Sequence, residues 1–433
     1  MVKVSSWGCL DASEHDWRGL QSPDAVPGEL ARQASRGIAH GMGRSYGDVC
    51  LNPGGVLWST TGLDHLVSFD RDAGLVQCEA GVLLRDLQAV AVQAGWMLPV
   101  SPGTQLVTVG GAIANDVHGK NHHAQGSFGD HVLSLTLART DGSLIECGPH
   151  QRSDWFAATV GGMGLTGVIV RATLQLRKVA GPWLNTQSMP YRGLEPFLEL
   201  ADGSERDWEY TVSWIDCLSG QRPRGIFMRG NHSDATQPAP ALKRPGNMPF
   251  TPPVSLVNQL SLRAFNELYF RVNSWKAGSA RVHYQPFFYP LDNLQHWNRM
   301  YGRRGFYQYQ CAVPRAAGLQ AMQDILSVIR RSGQGSFLAV LKTFGERRPL
   351  GMLSFPMPGL TLALDFPNRG DRTHRLFAEL DAVVSAAQGR LYMAKDARMP
   401  RELFEQGYPR IDEFRRFMDP GLSSAMSRRL LNQ

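Results

Sequence analysis

Three histidines and a lysine stand among three glycines in the stretch GKNHHAQGSFGDHV, residues 119–132. Histidine is the commonest metal-binding side chain, so a metal site is the first chemistry to consider. His122 and His123 are adjacent, however, and cannot easily converge on one ion, and no cysteine or helically spaced carboxylate accompanies them. The histidines and Lys120 fit better as polar groups around a buried cofactor or a substrate oxygen, and we expect no metal.

Two glycine-rich stretches are suited to phosphate. The first, GIAHGMGRSYGD at residues 37–48, joins a Gly-x-Gly pair to Arg44 and Ser45, which offers open backbone N–H groups, a charge and a hydroxyl. It matches neither a Walker A loop nor the GxGxxG motif, so a plain turn is the alternative. The second, at residues 101–132, contains a predicted helix start at residue 109 whose free N–H groups favour an anion.

A third glycine cluster, at residues 161–167, leads into a β-branched strand. Glycines there let the backbone press against something flat or bulky, although a tight strand-entry turn would use the same residues. Around these clusters, hydrophobic patterning predicts a β-β-α unit at residues 67–95 and a hairpin at residues 131–147. Ser153 is the predicted N-cap of a short helix that follows the hairpin.

The composition is typical of a globular enzyme of more than one domain. The 433 residues are 43% hydrophobic and carry a formal net charge of +7. No basic run exceeds two residues, which disfavours nucleic acid but permits contact with phosphates or anionic lipid. The six cysteines form no CxxC pair, and neither a leader segment nor a membrane-spanning stretch is indicated. We therefore expect a cytoplasmic protein whose contact with the inner membrane is peripheral.

These glycine stretches, together with GRLYMAKDARM at residues 389–399, resemble the vanillyl-alcohol-oxidase-type flavoproteins, and within them the branch of decaprenylphosphoryl-ribose oxidases. The resemblance covers nearly the whole chain and is weakest between residues 180 and 280. It implies an α+β fold with two domains. The implied parts are a PCMH-type FAD-binding domain at residues 1–181, an inserted antiparallel-sheet substrate domain at 182–389 with a mobile proline-rich loop at about 231–253, and a return to the FAD domain at 390–433.

The resemblance also implies site residues. Those for non-covalent FAD are Gly41, Gly43, Arg44, Ser45, Tyr46, Gly47, Gly103, Thr104, Gly110, Gly111, Ala112, Asn115, His118, Gly119, Asn121, Gly167, Ile169 and Tyr392. Those for substrate are Lys120, Gln308, Gln310, Lys342, Phe344, Thr361, Ala363 and Lys395. The implied catalytic residues are Lys395, His118 and Tyr392.

The chemistry of alcohol oxidation is consistent with these roles. A secondary alcohol gives a hydride to flavin N5 and loses its hydroxyl proton, while the reduced flavin gains negative charge near N1. Lys395, in an otherwise apolar predicted strand, could hold that charge or orient the substrate oxygen; an ordinary lysine paired with Asp396 is the alternative. His118 could be a base or an orienting group. Gln308, Gln310, Lys342 and Phe344 alternate as on a sheet face that lines a pocket, or over an ordinary core.

Two positions depart from what the resemblance leads us to expect. Arg44 stands where many relatives attach FAD through a histidine, so the flavin is expected to be held non-covalently. Ala363 stands where the branch has a cysteine, so inhibitors that bond to that thiol should form no such bond here. Leu360 and Thr361 also differ from expectation, which leaves the lipid tail and the sugar open.

The resemblance implies oxidation of the ribose C2 hydroxyl of a polyprenyl-phosphoryl ribose to the keto sugar, with an NAD(P)H-dependent short-chain reductase as partner that completes epimerisation to an arabinose donor. The proline-rich loop is the candidate membrane contact. Two alternatives stand beside this interpretation. One is a soluble alditol or sugar oxidase that passes electrons to oxygen, and the other is a non-catalytic flavin-binding partner of a reductase.

Overall fold

The N-terminal strands form a small mixed sheet. In the computed structural model, which describes residues 1–237 and 244–432, its spatial order is Val2–Ser5, Ala12–Gly19, Val56–Ser59 and Gly37–His40. The strands Ala12–Gly19 and Gly37–His40 both pair in parallel with Val56–Ser59, between them. The strand Gly37–His40 ends immediately before Gly41, where the first glycine loop begins.

The second sheet carries the other two glycine clusters. Its spatial order is Leu66–Asp70, Leu75–Glu79, Val168–Gln175, Val132–Ala138 and Leu144–Cys147, all antiparallel. The predicted β-β-α unit is confirmed, because the first two strands lead into helix Leu84–Gln93 and Gly95 follows with a φ of +79°. The prediction for Ser153 is wrong. Arg152 adopts a left-handed conformation with a φ of +48° and is itself the cap, so Ser153 is the first helical residue.

The third sheet is the largest and is antiparallel throughout. Its spatial order is Gly278–His283, Trp183–Arg192, Arg224–His232, Tyr210–Ile215, Ala339–Phe344, Gly359–Pro367, Phe306–Pro314 and Arg390–Leu391. Helices Leu194–Asp202, Arg315–Ser332 and Asp371–Ala386 contact one face of it.

One face of this eight-stranded sheet packs against the helices, and the other face is turned toward the glycine loops. Leu362 and Leu364 on the strand Gly359–Pro367 are fully buried in the core that the helices share. Side chains alternate along a strand, so Thr361, Ala363 and Asp365 point to the opposite face. That face is turned toward the glycine loops.

The chain then returns to its N-terminal part. The strand Arg390–Leu391 still pairs with Cys311 and Ala312 of the large sheet, whereas the Ala394 carbonyl already accepts from the Tyr46 amide. The predicted domain bounds stay a prediction. The combination of helices with antiparallel sheets confirms the predicted α+β class.

The remaining elements are short, apart from one helix, Gln259–Trp275. The other helices are Val26–Ala31, Val109–Ala114, His122–Gln125, Ser153–Thr159, Tyr284–Phe288, Arg401–Gly407, Ile411–Arg415 and Ala425–Leu431, with 3-10 turns at Phe128–His131, Pro290–Asn293 and Trp297–Tyr301. Trp96–Met97 pairs with Arg177–Lys178 in a two-stranded ladder. Within the described ranges, no helix is long and apolar enough to cross a membrane.

The predicted proline-rich loop falls only partly on residues that the structure describes. Residues 238–243 lie outside the described residues. Beside them, Asn231 and His232 complete the strand Arg224–His232, and Gly246–Asn247 pairs in parallel with Leu294–Gln295. The prediction of a loop over the whole of 231–253 is therefore wrong at these positions, because neither pair of residues contains a proline and both can join a ladder.

Asp116 links the segment that contains Ser127 and Gly129 to the distant segment that contains Ser354. Its carboxylate accepts hydrogen bonds from Ser127 Oγ at 2.8 Å, from the Gly129 amide at 2.9 Å and from Ser354 Oγ, and burial raises its pKa to about 6. Asp116→Ala leaves three buried donors without their acceptor, so we expect the free energy of unfolding to fall by about 2–4 kcal/mol. Chemical denaturation measures this, with the exposed Asp72→Ala as control. An equal midpoint for both variants would contradict the assignment.

Candidate active site

A single cavity of about 910 Å³ lies between the glycine loops and the open face of the eight-stranded sheet. This volume is near the upper end of the roughly 300–1,000 Å³ typical of small-molecule sites. Its lining includes Arg44 of the first loop, His118, and Phe265 and Tyr269 of the helix Gln259–Trp275.

The two loops meet at Thr108. Its hydroxyl accepts from the Gly111 amide at 3.1 Å and so caps the helix Val109–Ala114. A Cβ at Gly41 would lie 2.6 Å from that hydroxyl oxygen, so only glycine lets the first loop approach so closely. At Gly43 the requirement for glycine is conformational, because its φ of +60° lies in the left-handed region.

Asp292 fixes the second loop and was not found by sequence reasoning. Its carboxylate accepts from Thr104 Oγ1 at 2.7 Å and from the Gln105 amide at 2.9 Å. Burial raises its pKa, while these bonds and the charge of Arg44 oppose the rise. Nothing in the local sequence distinguishes Asp292 from an ordinary turn residue, because its partners are nearly 190 residues away.

Most of the predicted residues are brought together in the cavity. Those that line it are Gly41, Gly43, Arg44, Ser45, Tyr46, Gly103, Thr104, Gly110, Gly111, Asn115, His118, Gly119, Lys120, Gly167, Ile169, Gln308, Gln310, Lys342, Thr361, Ala363, Tyr392 and Lys395. The four that do not are Gly47, Ala112, Asn121 and Phe344.

These four residues support the cavity wall from behind. A Cβ at Gly47 would overlap the Asp396 carbonyl, and Ala112 is fully buried in a hydrophobic core. Asn121 Nδ2 donates to the Pro99 carbonyl at 2.8 Å. Phe344 packs against the ring of His118 with centroids 5.0 Å apart. Contact with a ligand in the cavity is therefore not expected of these side chains.

His118 is held between two side chains of the sheet. The Gln310 side-chain amide lies 2.9 Å from Nε2, and Lys342 Nζ lies 3.1 Å from Nδ1 and 2.9 Å from the Gly119 carbonyl. The amide nitrogen of Gln310 faces Nε2, so the tautomer in which Lys342 donates to Nδ1 and the ring proton resides on Nε2 requires the Gln310 amide to turn its oxygen toward the ring. Burial and the charge of Lys342 hold the pKa of His118 well below its usual value. The imidazole is therefore neutral.

Three lysines make this part of the cavity electropositive. Burial lowers the pKa of Lys120 to about 7, of Lys342 to about 7 and of Lys395 to about 8, and Lys342 is lowered further by its two neighbours. Lys395 Nζ lies 3.9 Å from the centroid of the Tyr46 ring and makes no hydrogen bond to the residues described. It lies in a turn, so the predicted strand at this residue is wrong. Its N–H groups are available to a ligand.

Asp365 is a buried acidic group next to the cavity wall, where it contacts Gln308, and it was not among the predicted residues. Its Oδ1 accepts from Gln308 Nε2 at 2.6 Å, while Oδ2 has no hydrogen-bond partner within the described ranges. Burial raises its pKa to about 7, and the nearby charge of Lys395 opposes that rise. Its position two residues after Ala363 on one strand face is the signal that could have identified it.

The hydroxyl of Tyr392 is already engaged. It donates to the Asn115 carbonyl at 2.7 Å, and the ring stacks on Phe355 with centroids 4.6 Å apart. Burial raises its pKa well above the usual value. Tyr392 therefore contributes the surface of its ring to the cavity and holds the backbone at Asn115 in place.

The other histidines of the cluster have ordinary environments. Burial lowers the pKa of His122 to about 3, and its ring packs against Phe344 with centroids 4.7 Å apart. His123 Nε2 lies 2.8 Å from the Trp208 carbonyl oxygen. In the part of the chain that the structure describes, no group of three or more His, Cys, Asp or Glu side chains could hold a metal ion.

The residues present fit FAD. The two loops approach so closely at Gly41 and Gly111 that a Cβ would crowd Thr108, and they offer backbone N–H groups and Arg44 to a diphosphate. Asn115 Oδ1 and Thr361 Oγ1 line the cavity, and among the residues described they are buried without a hydrogen-bond partner, which a bound ligand would supply.

Comparison with known proteins agrees with this assignment. Residues 29–148 match the family described as FAD binding domain. The decaprenylphosphoryl-beta-D-ribose oxidase of Mycolicibacterium smegmatis is 38% identical, over 99% of this chain and 97% of the relative. An uncharacterized protein in the mprA 5' region of Streptomyces coelicolor is 31% identical over 81% of this chain and all of its own length. The L-gulonolactone oxidase of Mus musculus is 32% identical over about a third of each chain. The chain therefore belongs to the decaprenylphosphoryl-beta-D-ribose oxidase family of FAD-binding oxidoreductases.

Proposed function

We propose that this protein oxidises the ribose C2 hydroxyl of a polyprenyl-phosphoryl-β-D-ribose to the 2-keto sugar, the first half of epimerisation to an arabinose donor. The observation that carries the proposal is the convergence of Lys342, His118, Gln310 and Lys395 on one cavity with the FAD loops. The name of the mycobacterial relative supports the same substrate class. A separate NAD(P)H-dependent short-chain reductase would complete the epimerisation.

Lys342 is the group best placed to accept the hydroxyl proton. As a neutral amine it has two N–H donors, which the His118 ring and the Gly119 carbonyl occupy, and one lone pair that remains for the substrate. A pKa of about 7 keeps a large neutral fraction available near neutral pH. His118 thus orients Lys342 and is a positioning residue.

Lys395 supplies positive charge to the reaction. Bound FAD provides the two-electron acceptor for the hydride that leaves the sugar carbon. Lys395, with a pKa of about 8, stays protonated at neutral pH and stabilises negative charge that develops in the closed cavity. Lys120, which lines the same cavity, is suited to the phosphate of the substrate.

An apolar part of the cavity wall suits the polyprenyl tail. This part includes Trp214 and Met228 of the large sheet, together with Phe265, Phe337 and Leu338. Because a substrate with a long prenyl chain resides in lipid, we propose that the protein associates peripherally with the inner membrane.

Activity is expected to rise as the pH passes about 7 and to fall above about 8. Lys342 must lose its proton to act as a base, and its pKa is lowered to about 7. Lys395 must keep its proton, and its pKa is lowered to about 8. Initial rates across this range should describe a narrow bell. A rate that climbs steadily through alkaline pH would contradict the role of Lys395.

The flavin should leave the protein on denaturation. Arg44 replaces the linking histidine of many relatives, and its guanidinium lies 4.2 Å from the centroid of the Trp7 ring. Acid precipitation is expected to release all yellow colour into the supernatant, measured by absorbance. Colour that stays with the pellet would contradict non-covalent binding.

Product analysis tests the proposed function. The holoenzyme, farnesylphosphoryl ribose and an added quinone should yield the 2-keto sugar, identified by mass spectrometry after borodeuteride reduction. Free xylitol is the control substrate and should give no product. Rapid peroxide formation from xylitol, without turnover of the lipid-linked ribose, would instead identify an alditol oxidase.

A further inference from the structure

The helix Gln259–Trp275 exposes large apolar side chains on the face that points away from the protein. Leu262, Asn266 and Phe270 are buried against the large sheet. On the opposite side of the helix, Leu260 is 80% exposed and Trp275 is 84% exposed. The outward side of a surface helix is normally polar.

Exposed apolar side chains are concentrated in this part of the molecule. Eight of the seventeen large hydrophobic side chains that are exposed among the described residues fall within residues 250–275. They are Phe250, Val254, Leu256, Leu260, Phe265, Leu268, Val272 and Trp275. Clustered apolar exposure on this scale marks an interaction surface.

The charge around this apolar face is positive. Residues 244–281 contain five basic side chains and one acidic side chain. The acidic one, Glu267, is already paired with Arg224 and Arg271. Arg263 and Lys276 are exposed beside the apolar row, where long basic side chains can reach lipid headgroups. A basic amphipathic helix with tryptophan at its end is the pattern of a helix that lies in a membrane interface.

The same helix also lines the cavity. Phe265 is 40% exposed and also lines the cavity, where its ring contacts Phe337 with centroids 4.9 Å apart. Tyr269, one turn later, lines the cavity and packs on Trp214 at 4.6 Å. The helix therefore separates the apolar part of the cavity from its own exposed apolar face, and Phe265 reaches both.

We propose that the outer face of the helix Gln259–Trp275, with residues 250–256, is a docking surface for an anionic lipid bilayer, and that docking places the mouth of the cavity at the lipid so that the prenyl tail of the substrate enters without crossing water. The choice of a prenyl-linked substrate rests on the proposed function. Docking itself rests only on the exposed face and its charge.

Flotation with vesicles tests the docking surface. The full-length holoenzyme should float with vesicles of phosphatidylcholine and phosphatidylglycerol, and less with phosphatidylcholine alone or at high salt. The triple variant Leu260→Gln, Leu268→Gln, Trp275→Gln is expected to lower the partition coefficient at least about tenfold. Leu133→Gln with Leu144→Gln, on exposed strand positions of the five-stranded sheet, is the matched control and should bind as the wild type does.

Activity separates this proposal from the proposed function. None of the three substituted side chains lines the cavity, so oxidation of farnesylphosphoryl ribose in solution should be unchanged, while oxidation of a long-chain substrate in vesicles should fall. Wild-type protein that oxidises the soluble substrate but does not float would overturn docking alone. Flotation without oxidation of either substrate would overturn the proposed function alone. A wild-type dimer that the triple variant converts to a monomer, with no vesicle binding by either, would assign the face to a second copy and overturn the proposal.

Discussion

Lys342→Met is expected to lower kcat by about 10²–10⁴-fold, the range that a positioned general base contributes. The substitution keeps the length of the side chain but removes the lone pair that we assign to the hydroxyl proton. It also removes the hydrogen bonds of Nζ to His118 Nδ1 and to the Gly119 carbonyl. Steady-state rates with farnesylphosphoryl ribose measure the loss, and the acidic limb of the pH profile should disappear with it.

Two comparisons show whether this loss is chemical. Lys3→Met removes an exposed lysine on the first strand and should leave both kcat and the pH profile unchanged. His118→Ala should retain more activity than Lys342→Met, because it disturbs the orientation of the amine but keeps its lone pair. A Lys342→Met variant that binds FAD and keeps near-normal kcat would contradict the assignment of the base.

Lys395→Met is expected to reduce kcat by about 10²–10³-fold with a smaller change in KM, because its charge stabilises the transition state more than bound substrate. The ammonium lies 3.9 Å from the centroid of the Tyr46 ring; burial lowers the pKa of Lys395 to about 8 and the charge of Asp365 opposes part of that fall, so the side chain is still a cation at neutral pH. Stopped-flow reduction of the bound flavin separates this step from later ones. The alkaline limb of the pH profile should be lost.

Lys395→Met also decides between an oxidase and a flavoprotein that only supports a reductase. The exposed Lys178→Met is the control for loss of a lysine, and the flavin content of both variants establishes that each is loaded. A scaffold should support its reductase partner equally well after the substitution, whereas an oxidase should lose flavin reduction and overall turnover. Normal flavin reduction in Lys395→Met would contradict its role.

Local patterns predicted the loops of this fold well. The β-β-α unit, the hairpin and the helix start at Val109 depend on turns and periodicity within a few residues. Gly41 is required because the backbone passes close to Thr108, and Gly47 is required because it passes close to the Asp396 carbonyl, so close backbone approach explains why glycine occurs at both positions. The resemblance to known flavoproteins then extended these patterns to a common site.

Sequence reasoning failed where the position of a side chain depends on contacts between segments that are far apart in the chain. His118 and Gln310 are 192 residues apart, and Thr104 and Asp292 are 188 apart, so no spacing rule joins them. Phe344 was predicted by strand alternation to line the cavity, but its ring is behind His118 and fills the wall. The helix Gln259–Trp275 lies where resemblance is weakest, and its exposed apolar face becomes visible only when the sheet beneath it is known.

The most direct test of the central claim is anaerobic mixing of the purified holoenzyme with farnesylphosphoryl ribose while the flavin band at about 450 nm is followed, since loss of this band reports the arrival of the hydride. The account predicts that the band bleaches in a single turnover with the lipid-linked ribose and stays unchanged with xylitol. A yellow protein that bleaches with xylitol but not with farnesylphosphoryl ribose would contradict it.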